Sequence, residues 1–323
     1  ERPVSDGLLA EMCQVIHHRG PDVWGSWSGP GIGLGMKRLK VIDLVSGRQP
    51  MVTDDGRYRI VFNGEIYNFK ELRSRLQGRG AKFNSESDTE VLLKSYVEYG
   101  QGCVELLRGM FAFAIWDDYE KSLFMARDRF GKKPLHYVDD GTKIVFGSEI
   151  KSILRDPDVQ PRVFRPGIVD YMSYGNTLDP YTMFEGIVKL APGHTFFWSD
   201  KGTEIKPYWD FEFQVDDQLA EQVALNTAEE VIKEAVRVRM VSDVPLGAFL
   251  SGGIDSSLVV AMMATQSSEP VKTFSIGFDQ PEFNELPYAR LVADRYKTDH
   301  YEEIVKPEAE EILPYLVNVF DEP

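Results

Sequence analysis

Up to about residue 195 the chain consists of short stretches in which apolar and polar residues alternate, broken by turn residues. Residues 31–37, 58–62, 110–116, 122–127 and 143–146 read as strands, because alternation puts every second side chain on one face of a pleated sheet. Two stretches have helical spacing instead. Residues 70–78 follow Asn68, a candidate cap, and residues 88–99 carry Val91, Leu92, Tyr96 and Tyr99 on one face. Residues 8–16 read as an amphipathic helix around Cys13, and Cys103 lies in another, just ahead of Val104 and Leu107. Many strands with helices outside them predict a layered α/β sandwich.

Beyond Ala191-Pro192-Gly193-His194 the pattern changes. A polar connection containing Lys206-Pro207-Tyr208-Trp209-Asp210 leads to a helix whose apolar positions Leu225, Ala228, Ile232 and Ala235 keep helical spacing. Residues 244–250 are apolar enough for a buried strand, two glycines follow, and a helix continues through Leu258, Val259, Met262 and Met263. Residues 271–278 read as a second strand, lying beside the first if a right-handed crossover joins them. The expected organisation is a first domain over residues 1–195, a linker over 196–214 and an α/β domain over 215–323.

With 43% hydrophobic and 27% charged residues, a chain of 323 residues can form two globular domains. A formal net charge of -15 argues against nucleic acid as a partner, since phosphate backbones are bound through clustered Lys and Arg. No apolar run approaches a membrane span, and the N-terminal residues carry no signal-like apolar region, so a cytoplasmic protein without a membrane partner is expected. Cys13 and Cys103 are too few for a disulfide framework and are expected to be reduced and buried.

Leu250-Ser251-Gly252-Gly253-Ile254-Asp255-Ser256-Ser257 carries the most specific chemistry. Its glycines let the backbone turn tightly and approach a ligand, and the start of the next helix attracts phosphate. It has no lysine to reach a terminal phosphate, as γ-phosphate transfer on a GxxxxGK[ST] loop requires. Pyrophosphate is then the natural leaving group. Ser251, Ser256 and Ser257 offer hydroxyls to polyphosphate oxygens, and Asp255 can hold a magnesium ion on them. SGGIDSS after an apolar strand, followed by Phe274-Ser275-Ile276-Gly277-Phe278, resembles the PP-loop of the ATP pyrophosphatases in its asparagine synthetase branch. That resemblance implies ATP and Mg²⁺ as cofactors and a Rossmann-like fold. It also implies adenine resting against backbone at Leu250 and Ile276, with Gly252, Gly253 and Gly277 in the same ATP site.

The first domain holds strings that are unremarkable singly: His18-Arg19-Gly20-Pro21-Asp22, Arg38-Leu39-Lys40-Val41-Ile42-Asp43, Gln49-Pro50, Asn63-Gly64-Glu65-Ile66-Tyr67-Asn68, Ser87-Asp88-Thr89-Glu90 and Ala126-Arg127-Asp128-Arg129-Phe130-Gly131. Alone, Asn63-Gly64 reads as a hairpin turn, Arg38 as a surface cation and Asp88 as a helix cap. Their joint order, from His18 to about His194, resembles the glutaminase domain of class II glutamine amidotransferases in its asparagine synthetase form. This is the N-terminal-nucleophile group, with an αββα sandwich. The resemblance implies that Arg38 forks onto the α-carboxylate of glutamine and that Asp88 takes its ammonium. Asn63 and the Gly64 N–H form the oxyanion hole, and backbone at Val41, Ile42 and Glu65 completes the glutamine pocket. His18 and Arg19 are wall and scaffold rather than acid–base groups.

The family's nucleophile is a cysteine at residue one whose own α-amino group is the base. Glu1 cannot serve, Cys13 sits in a helix with no adjacent base, and Cys103 is less suited still. The resemblance thus implies an inactive fragment, without the nucleophile and without the family's later Ser-Gly-Glu-Gly segment. Its parent would hydrolyse glutamine in the first domain and pass ammonia to the second. There ATP would activate aspartate as an acyl adenylate, releasing pyrophosphate, before aminolysis gives asparagine and AMP. Homodimers are common in the family. Two alternatives stay open: a related amidotransferase acting on a sugar, peptide or secondary-metabolite carboxylate, and a non-catalytic module sensing nucleotide or glutamine.

Overall fold

The structure, a computed structural model, describes residues 4–306 and 309–322. It divides into two compact units: residues up to Phe211 together with the segment from Leu316, and Glu212–Tyr315.

In the first unit, α1 (Asp6–Gln14) precedes β1 (Val23–Gly29), β2 (Ile32–Arg38), β3 (Met51–Val52) and β4 (Tyr58–Ile66). Then come α2 (Phe69–Gln77), α3 (Asp88–Tyr99), α4 (Cys103–Leu106), β5 (Gly109–Asp117) and β6 (Ser122–Arg127). β7 (His136–Asp139), β8 (Ile144–Gly147), α5 (Ile150–Ile153), α6 (Arg165–Tyr174), β9 (Val188–Lys189), β10 (His194–Ser199) and β11 (Gly202–Pro207) follow.

A six-stranded antiparallel sheet runs β11-β10-β6-β5-β4-β3. Its centre is apolar on both faces because each face meets another layer. On one side Phe111 and Phe113 of β5 reach Phe124, which stacks on Tyr96 of α3. On the other side Ala112, Ala114 and Trp116 pack against Ile32 and Leu34 of β2 and Tyr137 of β7. Those strands belong to a two-stranded sheet, β1-β2, and a three-stranded one, β8-β7-β9, over which α1 and α5 lie. The order is helix, sheet, sheet, helix, the αββα sandwich expected. Burying each such phenylalanine stabilises the unit by about 1.5–3 kcal/mol.

Local boundaries differ from the sequence pattern where a side chain finds a distant partner. Ser87, not Asp88, caps α3, accepting from Thr89 N, and the helix stops at Gly100 with φ 60°. Asn68 precedes α2 without capping it, since its amide bridges Leu106 O and Arg108 N instead. Residues 194–207, which the sequence pattern assigns mostly to a connection, pair as β10 and β11 along one side of the large sheet, with Phe196 fully buried.

The second unit contains α7 (Glu221–Arg239), β12 (Gly247–Phe249), α8 (Ile254–Gln266), β13 (Lys272–Phe278), α9 (Leu286–Tyr296) and β14 (Asp299–Val305), and α10 (Ala309–Phe320) starts in it. β12, β13 and β14 form a parallel sheet in that order, so the two strands flanking α8 are neighbours as expected. Val260 of α8 and Ala289 and Ala293 of α9 bury against Leu250. β12 is shorter than residues 244–250, because Pro245 has no N–H to give a ladder and Ser242 closes a turn onto Val244. α7 buries Val236 and Val238 while Leu225 and Ala228 stay exposed, so their spacing marks the helix but not its covered face. Among the described residues no helix is long and apolar enough to cross a membrane.

Candidate functional site

The strings of the first domain converge where β2 and β4 end. Arg38, the last residue of β2, is buried rather than a surface cation, and its Nη2 donates to Ile42 O (2.8 Å) and Asp43 O (2.9 Å). Gly47 lies flat against that guanidinium, since a Cβ there would stand 2.4 Å from Arg38 Nη2. Asp43, at φ 53°, accepts on its carboxylate from the N–H groups of Val45 (3.2 Å), Ser46 (2.7 Å) and Glu86 (3.0 Å). The Glu86 bond ties this loop to the turn that starts α3. Asp88 then accepts from Ile66 N at 3.0 Å, which closes the circuit on β4. Arg38 and Asp88 are thereby gathered beside the Asn63-Gly64-Glu65 stretch, with Ile42 buried and Val41 half-buried in the loop between.

Asn63 and Gly64 are no hairpin turn; they continue β4 opposite Ala112 and Phe111. Gly64 has φ 155°, and a Cβ there would meet Met110 O at 2.1 Å, so only glycine fits. Amides of an antiparallel strand point alternately to its two sides. On the side away from β5, Phe62 N donates to Gln49 Oε1 (2.7 Å) and Ile66 N to Asp88, which leaves the Gly64 N–H between them facing the gathered side chains. Gln49 Nε2 also donates to Phe62 O (3.0 Å), so this buried amide fills a whole rung of the ladder. Asn63 borders a cavity of about 740 Å³ that is also lined by α1, β2 and β8, the last two being edge strands of separate sheets.

The charges here are held away from water. Burial raises the Asp88 carboxyl from its ordinary 3.8 to about 6; the Ile66 N–H and Arg38 work against the rise and Glu65 adds to it. A first-turn carboxylate is normally favoured by the helix dipole, so burial wins at this position. Burial likewise lowers Arg38, against Asp43 and Asp88, and raises Glu65, against Lys133. A buried guanidinium and a buried carboxylate not paired with each other suit a zwitterion whose own charges replace the lost water.

The remaining strings build walls. His18 Nε2 and Arg19 Nη1 both reach Glu149 Oε1, at 2.9 and 2.8 Å. Arg127 donates to the carbonyls of Gly131, Lys133 and Leu190, and the Asp128 carboxylate accepts from the N–H groups of Phe111, Phe130, Lys132 and Lys133. Sequence reasoning passes over Gly47, Lys133 and Glu149; the last lies 131 positions from His18, and no local pattern joins them. Cys13 and Cys103 are free and buried as expected, and burial pushes both thiols up.

In the second unit the loop leads from β12 into α8. Leu250 is buried, its N–H donates to Phe274 O and its carbonyl accepts from the Ser275 hydroxyl, so its backbone is engaged by β13. Gly252, at φ 83°, packs so closely on α9 that a Cβ would meet Tyr288 Cβ at 2.5 Å. Gly253 is the N-cap of α8, and the Ser251 and Ser256 hydroxyls lie 3.0 Å apart, with Ser257 in the same first turn. Ile276 is 52% exposed, and Gly277 packs against Leu286. Asp255 is exposed in the first turn of α8, where one carboxylate with phosphate oxygens suits magnesium. Among the described residues no group of three or more His, Cys, Asp or Glu could hold a metal by itself.

A glutamine amidotransferase domain family matches residues 2–209, and the asparagine synthase family matches residues 227–323. The chain is 39% identical over 319 residues to the glutamine-hydrolyzing asparagine synthetase 1 of Bacillus subtilis, covering 98% of this chain and 50% of that protein. A putative asparagine synthetase of Methanocaldococcus jannaschii is 36% identical over 343 aligned positions, covering 98% and 65%. Amidase chry2 of Gibberella zeae is 37% identical over 266 residues, covering 79% and 38%. Among solved structures, the glutamine phosphoribosylpyrophosphate amidotransferase of B. subtilis aligns with a TM-score of 0.44 and 16% identity, over 95% of this chain and 67% of that one. The chain spans about half the length of the curated relatives it matches first. With an amidotransferase domain followed by asparagine synthase sequence, it belongs to the glutamine-hydrolysing asparagine synthetase family.

Proposed function

We propose that the chain is part of an ATP-dependent carbon–nitrogen ligase that takes its nitrogen from glutamine and converts aspartate to asparagine through a β-aspartyl adenylate. One observation carries the glutamine half: the circuit from Arg38 through Asp43 and Glu86 to Asp88 and Ile66, which sets an anion-seeking and a cation-seeking side chain beside Asn63 and Gly64. Arg38 would fork onto the α-carboxylate of glutamine and Asp88 would take its ammonium, with backbone at Val41, Ile42 and Glu65 closing the pocket. The Asn63 amide and the Gly64 N–H would donate to the oxyanion, where losing one donor costs about 3–4 kcal/mol of barrier. Neither Cys13 nor Cys103 suits the nucleophile's part, since both thiols are buried and pushed up. The cavity that Asn63 borders is where a cysteine nucleophile would have to stand.

In the second unit the phosphates of ATP would rest on Ser251, Gly252, Gly253, Ser256 and Ser257, with adenine near the strand ends at Leu250, Ile276 and Gly277. Asp255 would hold Mg²⁺, which when bound neutralises charge on the departing pyrophosphate. A cytoplasmic enzyme, working as a homodimer without nucleic-acid or membrane partners, completes the reading. In the longer native protein, glutamine, aspartate, ATP and Mg²⁺ should yield asparagine and AMP, and ADP in place of AMP would refute the loop argument. The amidase relative favours a second reading, with the same donor and activation but another carboxylate as acceptor. AMP formed only with such an acceptor would select it.

A further inference from the structure

Asp321 and Glu322 follow α10 directly and are bound into the first unit by side-chain bonds. Asp321 Oδ2 accepts from Lys151 N (3.0 Å) at the start of α5, and its Oδ1 lies 3.0 Å from Lys151 Nζ, which also donates to Val319 O at 3.0 Å. Lys151 Nζ in turn meets Glu149 Oε2, and the other oxygen of Glu149 takes His18 and Arg19. Glu322 starts a second path. Its carboxylate accepts from Met183 N and from Thr177 Oγ1 (3.4 Å), and Lys189 Nζ donates to the Thr177 hydroxyl (3.0 Å) and carbonyl (3.1 Å). Lys189 pairs with Asp179 at 3.2 Å and Asp179 with Arg127 at 3.6 Å. Arg127 fixes the turn that carries Lys133.

Two paths of charge thus leave neighbouring residues and end on the two walls of the glutamine site. Arg19 lines the same cavity as Asn63, and Lys133 lies in the field of both Glu65 and Arg19. The side chains of Glu149, Lys151 and Asp321 are only 10%, 12% and 9% exposed. At that burial an ion pair holds geometry, because removing one member leaves the others uncompensated.

We propose that Asp321 and Glu322 are positioning residues for glutamine hydrolysis: Asp321, through Lys151 and Glu149, sets His18 and Arg19, and Glu322, through Thr177, Lys189 and Asp179, sets Arg127 and its turn. The inference rests on the glutaminase reading given above.

The test compares Asp321→Asn, Glu322→Gln and Lys151→Met in the longer native protein, with Arg38→Ala as the control for the glutaminase itself. Either acidic variant should lower kcat/KM for glutamine about tenfold, as expected for losing one charge-assisted hydrogen bond, and leave turnover on free ammonium within about twofold. Asp321→Asn combined with Lys151→Met should be no worse than the more affected single variant, since both cut one path. Unchanged glutamine kinetics in both acidic variants overturns the proposal. So does a parallel fall of the glutamine and ammonium reactions with melting temperature, which is what a merely structural role produces. Glutamine use that survives Arg38→Ala has a different meaning: it removes the glutaminase assignment on which the proposal stands.

Discussion

Replacing Asp88 with asparagine should make the first unit more stable and, on the proposed function, abolish the use of glutamine. Asp88 is 5% exposed, and burial, with Glu65 nearby, holds its carboxyl at about 6 instead of 3.8. In the unfolded chain the group titrates at its ordinary value, so between these two values the folded protein keeps a proton that the unfolded chain has released. Stability therefore falls as pH rises through this window, and the deficit persists above it. A shift of roughly two pH units corresponds to about 3 kcal/mol at neutral pH. Asparagine keeps an acceptor for the Ile66 N–H and carries no charge, so it should recover most of that amount. Denaturant melts of both proteins at pH 4 and pH 7.5 give the difference, from which titrating groups not coupled to Asp88 cancel. The advantage of the variant should be near zero at the acid end and about 2–3 kcal/mol at the other. An advantage that is constant with pH, or that grows toward acid, refutes burial as the cause. In the longer native protein, the KM for glutamine should rise about tenfold for each pH unit below 6 as Asp88 takes up its proton.

Three further outcomes are expected. Gly64→Ala forces a Cβ to 2.1 Å from Met110 O and should cost about 1–3 kcal/mol or more in a denaturant melt; wild-type stability would contradict the close approach. Gly252→Ala combines φ 83° with a 2.6 Å clash against Ala289 N, so it should lower the melting transition of the second unit and erase any thermal shift on adding ATP, with the first unit's transition unmoved. Iodoacetamide at pH 8 should label neither Cys13 nor Cys103 in the folded chain and both after unfolding, as read by mass spectrometry; labelling of the native protein would show that burial does not protect the thiols.

What could be read in the sequence follows the range of the interactions. The loop, helix and strand from Leu250 to Phe278 were legible because the hydrogen bonds of the loop stay within a few residues or reach the adjacent strand. β5 was legible for another reason: its two buried faces are told apart by size, Phe111 and Phe113 against Ala112 and Ala114. β4 was cut short at 62 because Asn63-Gly64 has turn chemistry, which nine-residue pairing with β5 overrides. The burial of Arg38 was not legible, since it depends on how residues 42–47 fold back on the guanidinium. Asn68 looked like a cap because its use by residues 106 and 108 is a long-range event.

Gln49 has a consequence that reaches past the circuit of Arg38 and Asp88. An amide side chain impersonates a strand residue opposite Phe62, so the large sheet is sealed one position short of Asn63. Were that seal missing, β3 could slide forward along β4, or a strand of another molecule could zip onto it, and either would consume the Gly64 N–H in ordinary pairing. Keeping the donor vacant and keeping the edge from growing are therefore one and the same task, carried out by a single uncharged residue that would never touch the reacting atoms.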